Sequence, residues 1–177
     1  MSRDFPDLID PWKAADGRRR FHGTMQLKRM QRLKSVLARD SGEAQFNVRF
    51  YYDLQKILIV DLSVAAGLQL ICQRSLAPYV EQVRRKSLLA VIEDIAEQEL
   101  LPEDYEPLLV EHKRIALLDL VEDELLLGVP LVPRNPAVKE IRQSTDGVVT
   151  PESEQNDEPL QRPFADLADL LKEKAQK

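Results

Sequence analysis

The sequence predicts an α+β fold in which an antiparallel sheet of about four to six strands is packed by two main helices. Three observations support it. Alternating apolar patterns joined by short turns occupy residues 44–92, and apolar residues recur at helical spacing on both sides of that region. The composition, 44% apolar and 31% charged over 177 residues, is that of a globular protein of about one domain.

Residues 1–40 predict a short strand followed by a basic helix. The strand covers residues 21–25. Over residues 27–38 the apolar side chains fall on one face and the polar and basic ones fall opposite, which is typical of an amphipathic helix. Ser41 and Gly42 follow at once and predict its end near Asp40.

Residues 44–92 have the period of β-strands. Residues 44–52 alternate and are rich in aromatic and β-branched side chains. A second alternation begins at Leu58 after a polar turn at residues 53–56, and Gly67 within it predicts a bulge or a bend. A third extended run covers residues 79–92. Because short turns join these strands, we expect an antiparallel meander.

Residues 93–133 are first acidic and then helical. Pro102 and Pro107 predict irregular structure over residues 93–107, and residues 108–111 are a candidate edge strand. Helical spacing over residues 115–127 predicts the second main helix, which Gly128 and the prolines after it end.

The second helix carries carboxylates whose positions predict different environments. Asp119, Glu122 and Asp123 are expected on the solvated face. Glu124 lies on a largely apolar side, where a carboxylate needs a cation or hydrogen-bond donors to offset desolvation. A structural ion pair is therefore the first interpretation of Glu124, and a metal-dependent hydrolase that uses Glu122 and Glu124 is an alternative.

Few residues in the sequence suit catalysis. It has no glycine-rich phosphate loop and no nucleophile elbow, and its two histidines, His22 and His112, are not at metal-ligand spacing. We expect no enzyme activity, no metal and no cofactor. The single cysteine, Cys72, and the lack of a hydrophobic signal region in residues 1–10 predict a reducing, cytoplasmic location.

The carboxyl-terminal residues predict a tether and a docking helix after a single α+β domain at residues 1–133. Residues 134–162 are polar and acidic without periodicity, as in a flexible linker. Residues 163–177 predict a short amphipathic helix that begins near Pro163. This helix either binds a partner or packs back onto the domain. Its docking candidates are Phe164, Leu167, Leu170 and Leu171.

The net charge of −5 conceals a separation of charge along the chain. Residues 11–39 have a balance of +8, and residues 93–124 have a balance of −10. This separation suggests a polyanion as one partner and a basic protein as another, unless the two segments are solvated faces that partly neutralise each other. The candidates for contact with RNA phosphates are Arg18, Arg19, Arg20, Lys28, Arg29, Arg32 and Lys34. Aromatic side chains of the strand at residues 44–52 offer stacking surfaces for unpaired bases.

Four segments, in this order, resemble the bacterial YceD family of large ribosomal RNA subunit accumulation proteins. They are residues 72–78 (CQRSLAP), 101–107 (LPEDYEP), 120–133 (LVEDELLLGVPLVP) and 163–167 (PFADL). The third is the most specific. The positions that carry the family pattern are Cys72, Arg74, Pro78, Glu122, Glu124, Pro130 and Pro133.

The resemblance implies a non-enzymatic role in the synthesis, processing or accumulation of large-subunit ribosomal RNA, with that RNA or a precursor particle as partner. The alternative is an acidic adaptor or chaperone for a basic large-subunit ribosomal protein, which residues 93–124 and the terminal helix would bind. Family members often have a Cys-x-x-Cys motif where this chain has Cys72 and Ser75. A zinc site is therefore not transferred to this chain.

Overall fold

The computed structural model describes residues 5–138, and a five-stranded sheet lies at the centre of the fold. The strands are β2 (Arg20–Gln26), β3 (Glu43–Tyr52), β4 (Leu58–Ile71), β5 (Pro78–Ile92) and β6 (Glu106–Leu109). The first four form an antiparallel meander, and β6 runs parallel to β5 at the edge. The α+β class and the meander are confirmed, and the parallel edge strand makes the sheet mixed.

The core lies on one face of this sheet, which we call the inner face. Val48 and Phe50 of β3 are fully buried and pair with Leu62 and Val60 of β4. Their neighbours in sequence point to the opposite, outer face, because side chains alternate along a strand. The strict alternation of residues 44–52 therefore fixes which side of the sheet is covered.

Gly67 does not interrupt β4. It pairs with Gln82 of β5 in a continuous register, so the predicted bulge is wrong. A Cβ at this position would lie 3.2 Å from Gln82 Nε2 and 3.3 Å from Val80 Cγ1. The glycine therefore leaves room for side chains of the adjacent strand β5.

Helix α3 (Leu117–Gly128) packs on the inner face and confirms the second predicted helix. Leu117, Val121 and Leu125 are fully buried along one side of it. Two further short elements lie near the start of the chain. Strand β1 (Leu8–Ile9) pairs with β7 (Ile115–Ala116), and helix α1 (Pro11–Asp16) is capped by Asp10, whose Oδ1 accepts from the Lys13 N–H at 3.1 Å.

The predicted basic helix over residues 27–38 is wrong. The segment forms a 3₁₀ turn η1 (Leu27–Arg29) and a one-turn helix α2 (Gln31–Lys34), separated by Met30 in an extended conformation. Leu27, Met30 and Leu33 are nonetheless fully buried. The apolar spacing correctly predicted burial, but two short turns meet that requirement as well as a helix does. Of the two main helices expected, only α3 is long.

The acidic segment is more regular than predicted. Residues 95–100 form the 3₁₀ helix η2 (Ile95–Leu100), and the Asp94 side chain caps it by accepting from the Ala96 N–H at 3.0 Å. The edge strand β6 begins at Glu106, two residues before the predicted start. A last 3₁₀ turn, η3 (Glu111–Lys113), leads to β7.

The linker prediction lies almost wholly outside the described residues, and the helix at residues 163–177 with its candidates Phe164, Leu167, Leu170 and Leu171 lies wholly outside them. The domain boundaries therefore stay predictions. Among residues 5–138, no helix is long and apolar enough to cross a membrane.

Candidate nucleic-acid interface

The outer face of the sheet is polar and mostly basic, except at one end, where the paired residues Ile59 and Ala90 are fully buried. Pairing aligns His22, Asn47, Ser63 and Lys86 in one row across four strands. The adjacent rows bring Arg20 next to Arg49 and place Arg84 opposite Ala65. The charged side chains of this face are Arg20, Glu43, Arg49, Asp61, Arg84 and Lys86.

Most of the positive charge on the outer face is unpaired. Arg49 is the exception, because its guanidinium bonds Asp61 Oδ2 at 2.7 Å and lies 4.8 Å from the centre of the Tyr51 ring. Arg20, Arg84 and Lys86 are exposed and form no ion pair within residues 5–138. Their charges are available to an anionic partner.

A depression of about 370 Å³ lies on this face. Its lining consists of Arg20, Asn47, Arg49, Asp61, Ser63 and Lys86. Guanidinium and ammonium groups suit phosphate oxygens, while amide and hydroxyl groups hydrogen-bond to base edges and sugar hydroxyls. The buried Nε of Arg49 has no acceptor within the described residues.

The predicted RNA-contacting residues separate into two groups. Arg18, Arg19, Arg20 and Lys28 are exposed, and none of them forms an ion pair within residues 5–138, although the charge of Lys28 acts on Asp40. The other three bind carboxylates. These ion pairs are Arg29 with Asp7 at 3.6 Å, Lys34 with Asp40 at 2.9 Å, and Arg32 with both Asp123 and Glu122.

Sequence reasoning missed Arg84 and Lys86 as members of one surface with Arg20. The Arg84-Arg85-Lys86 run was visible, but its three bases divide between the two faces. Arg84 and Lys86 point outward, and Arg85 points inward to α3. Arg85 alternates in step with Val83 and Ser87, which are both buried, whereas Arg84 and Lys86 fall between them. This period of two was the signal that could have assigned the three bases to different faces.

Two of the carboxylates on α3, those of Glu122 and Glu124, are buried and hydrogen-bonded. Glu124 is 3% exposed, and its Oε2 accepts from Arg85 Nε at 2.9 Å and from Ser87 Oγ at 2.7 Å, which confirms the predicted need for partners. Glu122 is 4% exposed, so the predicted solvated position is wrong. Its Oε1 accepts from the buried Leu33 N–H at 2.9 Å because α2 packs against this side of α3.

Two of the motif segments meet in space. Cys72 is buried, and its Sγ accepts from the Asn135 N–H at 3.3 Å. The Gln73 N–H donates to Pro133 O at 2.8 Å, and Arg74 Nη1 donates to Val138 O at 3.1 Å. Pro78 opens β5, and Pro130 follows α3. The turn after β4 thus anchors the residues that follow α3.

Hydrogen bonds lower the pKa of the Cys72 thiol to about 6, chiefly through the Ser75 hydroxyl and then through the backbone N–H of Asn135. Ser75→Ala should therefore raise this pKa toward the ordinary value of 9.0. The check is a pH titration of thiolate absorbance, with Ser63→Ala, which removes a hydroxyl from the outer face, as the control.

The same pKa shift gives stability a pH dependence. A thiol with a lowered folded-state pKa contributes stability that is complete above the unfolded-state pKa and is lost as the pH falls through about 6. In urea unfolding of the native chain, the free energy of unfolding should rise as the pH increases from about 6 to 9.0, the folded-state and ordinary pKa values of the thiol. This rise should be smaller in Ser75→Ala. An unchanged thiolate titration in Ser75→Ala would contradict the assignment.

Fold and surface together define an α+β protein whose mixed sheet has its main core on one face and presents a basic, polar surface over much of the other. The family model described as "Large ribosomal RNA subunit accumulation protein YceD" matches residues 60–171. The large ribosomal RNA subunit accumulation protein YceD of Haemophilus influenzae is 33% identical over 129 residues, which are 72% of this chain and 74% of that protein. The chain therefore belongs to the YceD family. No solved structure matches it.

Proposed function

We propose that this protein is a cytoplasmic, non-enzymatic ribosome-biogenesis factor that supports the synthesis, processing or accumulation of large-subunit ribosomal RNA. It contacts that RNA, free or in a precursor particle, through the outer face of its sheet. Membership of the YceD family supports the ribosomal role. One observation carries the RNA contact: Arg20, Arg84 and Lys86 share the outer face and lack acidic partners within residues 5–138.

The chemistry of the outer face suits a nucleic acid strand. Unpaired cations bind phosphates and release counterions, which makes binding strong at low salt and weak at high salt. Asn47 and Ser63 line the same depression as the basic side chains. Their amide and hydroxyl groups provide hydrogen-bond donors and acceptors for nucleobases or ribose. Arg18 and Arg19 immediately precede β2 and extend the positive charge along the chain.

Reversing two charges on β5 tests this proposal. Arg84→Glu with Lys86→Glu should weaken binding to large-subunit ribosomal RNA fragments and reduce the salt dependence by about one unit of log–log slope per lost phosphate contact. Both side chains point away from the core, so the fold should persist. Affinity is measured by filter binding of the full chain over a series of salt concentrations.

The matched control reverses two exposed bases, Lys113 and Arg114, that lie in the acidic half of the sequence. This variant changes the net charge by the same amount and should keep nearly full affinity. Undiminished binding by the Arg84/Lys86 variant, or equal losses in both variants, would refute contact through the outer face.

The acidic adaptor is a second candidate because residues 93–106 contain seven acids and no base. All seven carboxylates are exposed, and none forms an ion pair within residues 5–138. A basic large-subunit ribosomal protein has the complementary charge. Formation of a complex with such a purified protein in the absence of RNA supports this function, and failure to form one counts against it.

A further inference from the structure

An apolar groove of about 470 Å³ lies where the β3–β4 hairpin, the end of β5 and the helix η2 come together. Its apolar lining includes Trp12 of α1, Tyr52, Leu58, Ile92, Leu100 and Leu101. Val91 completes the wall along β5. We call this feature the η2 groove.

Large apolar side chains at the η2 groove face water. Leu100 is 82% exposed and Tyr52 is 40% exposed, and Ile95 on the same 3₁₀ helix is 68% exposed. Each apolar Å² left in water forgoes about 25 cal/mol of stabilisation. Apolar side chains exposed side by side offer area that a bound molecule can bury.

The edge of the groove is acidic. Glu93 and Glu97 line it, and Asp94 and Glu99 flank them in sequence. Lys56 is a basic residue in the lining, and Lys113 lies 5.8 Å from the centre of the Trp12 ring. Within the lining itself, the two acids Glu93 and Glu97 outnumber the single base, Lys56. The groove therefore disfavours an RNA strand and favours a cationic partner.

The chain's own remaining residues do not have the charge that this groove selects. Residues 139–177 contain nine acids and six bases, so their balance is acidic. A second copy of the chain, with its net charge of −5, is also a poor match overall. Charge complementarity therefore points to a different, basic protein.

We propose that the η2 groove binds a short basic segment of a partner protein, with one apolar side chain inserted beside Tyr52, Leu58 and Leu100. Lysine or arginine residues on either side of this anchor pair with Glu93 and Glu97. The inference rests on the adaptor function and specifies its ligand: a cationic segment with an apolar anchor. Buried apolar anchors supply most of the affinity at such interfaces, and charges at the edge set specificity and association rate.

Two labelled peptides test the groove with the full chain. The first is lysine- and arginine-rich with a central leucine, and the second has serine in place of that leucine. Fluorescence anisotropy should show the leucine peptide binding about tenfold more tightly, as expected for burial of one aliphatic side chain. Equal affinities for the two peptides would overturn the apolar anchor.

Three variants locate the binding site. Leu100→Ser should weaken binding of the leucine peptide about tenfold and leave binding of the serine peptide unchanged, and Glu97→Lys should weaken both. Leu131→Ser is the control, since Leu131 is fully exposed outside the groove. Leu100 is itself exposed, so its replacement should not unfold the protein. Full binding of the leucine peptide by Leu100→Ser overturns the groove as its site.

The outcomes separate this inference from the adaptor function. If Leu100→Ser has no effect but Glu97→Lys still weakens binding to a basic ribosomal protein, the adaptor function survives and the groove proposal fails. If neither the peptides nor a basic ribosomal protein binds, both fail. Preferential binding of a peptide of residues 163–177, or self-association that Leu100→Ser abolishes, would also overturn the proposal.

Discussion

Replacing Glu124 with alanine should lower the free energy of unfolding by about 2–4 kcal/mol, because the substitution removes the buried partner of an ion pair whose other side chain, Arg85, is 30% exposed. Glu124 is 3% exposed, and its Oε2 accepts from both Arg85 Nε and Ser87 Oγ. Without the carboxylate, the half-buried Arg85 guanidinium loses its counter-charge, and the buried Ser87 hydroxyl loses its acceptor. Chemical denaturation at constant pH measures the loss.

Two comparisons show whether the effect belongs to this ion pair. Asp119→Ala removes an exposed carboxylate from the first turn of the same helix and should cost less than about 1 kcal/mol. Glu124→Gln keeps an acceptor oxygen for one donor, so its loss in free energy of unfolding should lie between those of Glu124→Ala and Asp119→Ala. A loss below about 1 kcal/mol in Glu124→Ala would mean that α3 does not depend on this contact.

The sheet was largely predictable because its signal is local. In β3 the buried and exposed positions alternate with the period of a strand, so pattern and structure agree from Ala44 to Phe50. The basic segment was not predictable in the same way. Leu27, Met30 and Leu33 satisfy a helical spacing, yet the chain between them extends at Met30.

The parts of the candidate site that sequence reasoning missed depend on contacts between distant residues. The spacing of residues within α3 predicts a solvated Glu122. The side chain is buried because α2 packs against it, and the Leu33 N–H of α2 donates to Glu122 Oε1. Arg84 and Lys86 join Arg20 only through the register of four strands. No spacing rule within one segment contains this information.

Folding also redistributes the two charged halves of the sequence. Arg32, from the basic segment, is paired with Glu122 and Asp123 of α3, so part of the predicted separation is neutralised inside the protein. Positive charges without an ion pair within residues 5–138 remain on the outer face of the sheet and at residues 18–20, and also at Lys28, Lys113 and Arg114. The seven carboxylates of residues 93–106 likewise form no ion pair within the described part of the chain. The outer face and the acidic segment are the surfaces assigned above to RNA and to a basic protein segment.

Gly128→Ala should destabilise the protein by about 1–3 kcal/mol even though alanine favours helices over glycine by about 1 kcal/mol. Gly128 was predicted only to end α3, but it also lies against β5. A Cβ there would overlap Val83 Cγ1 and lie 3.2 Å from Arg85 Cδ. Valine is stiff at χ1, so the helix end or the strand has to move, and the cost of overpacking exceeds the gain in helix propensity.

The same substitution at another helix end is the control. Gly17 follows α1 at φ −84°, and a Cβ there would meet the flexible Arg19 side chain at 3.3 Å, so Gly17→Ala should change stability by a few tenths of a kcal/mol. Val83→Ala should relieve the clash and make Gly128→Ala less costly in the double variant than alone. If Gly128→Ala lowers the free energy of unfolding equally with valine and with alanine at position 83, contact with Val83 is not the reason that α3 ends in glycine.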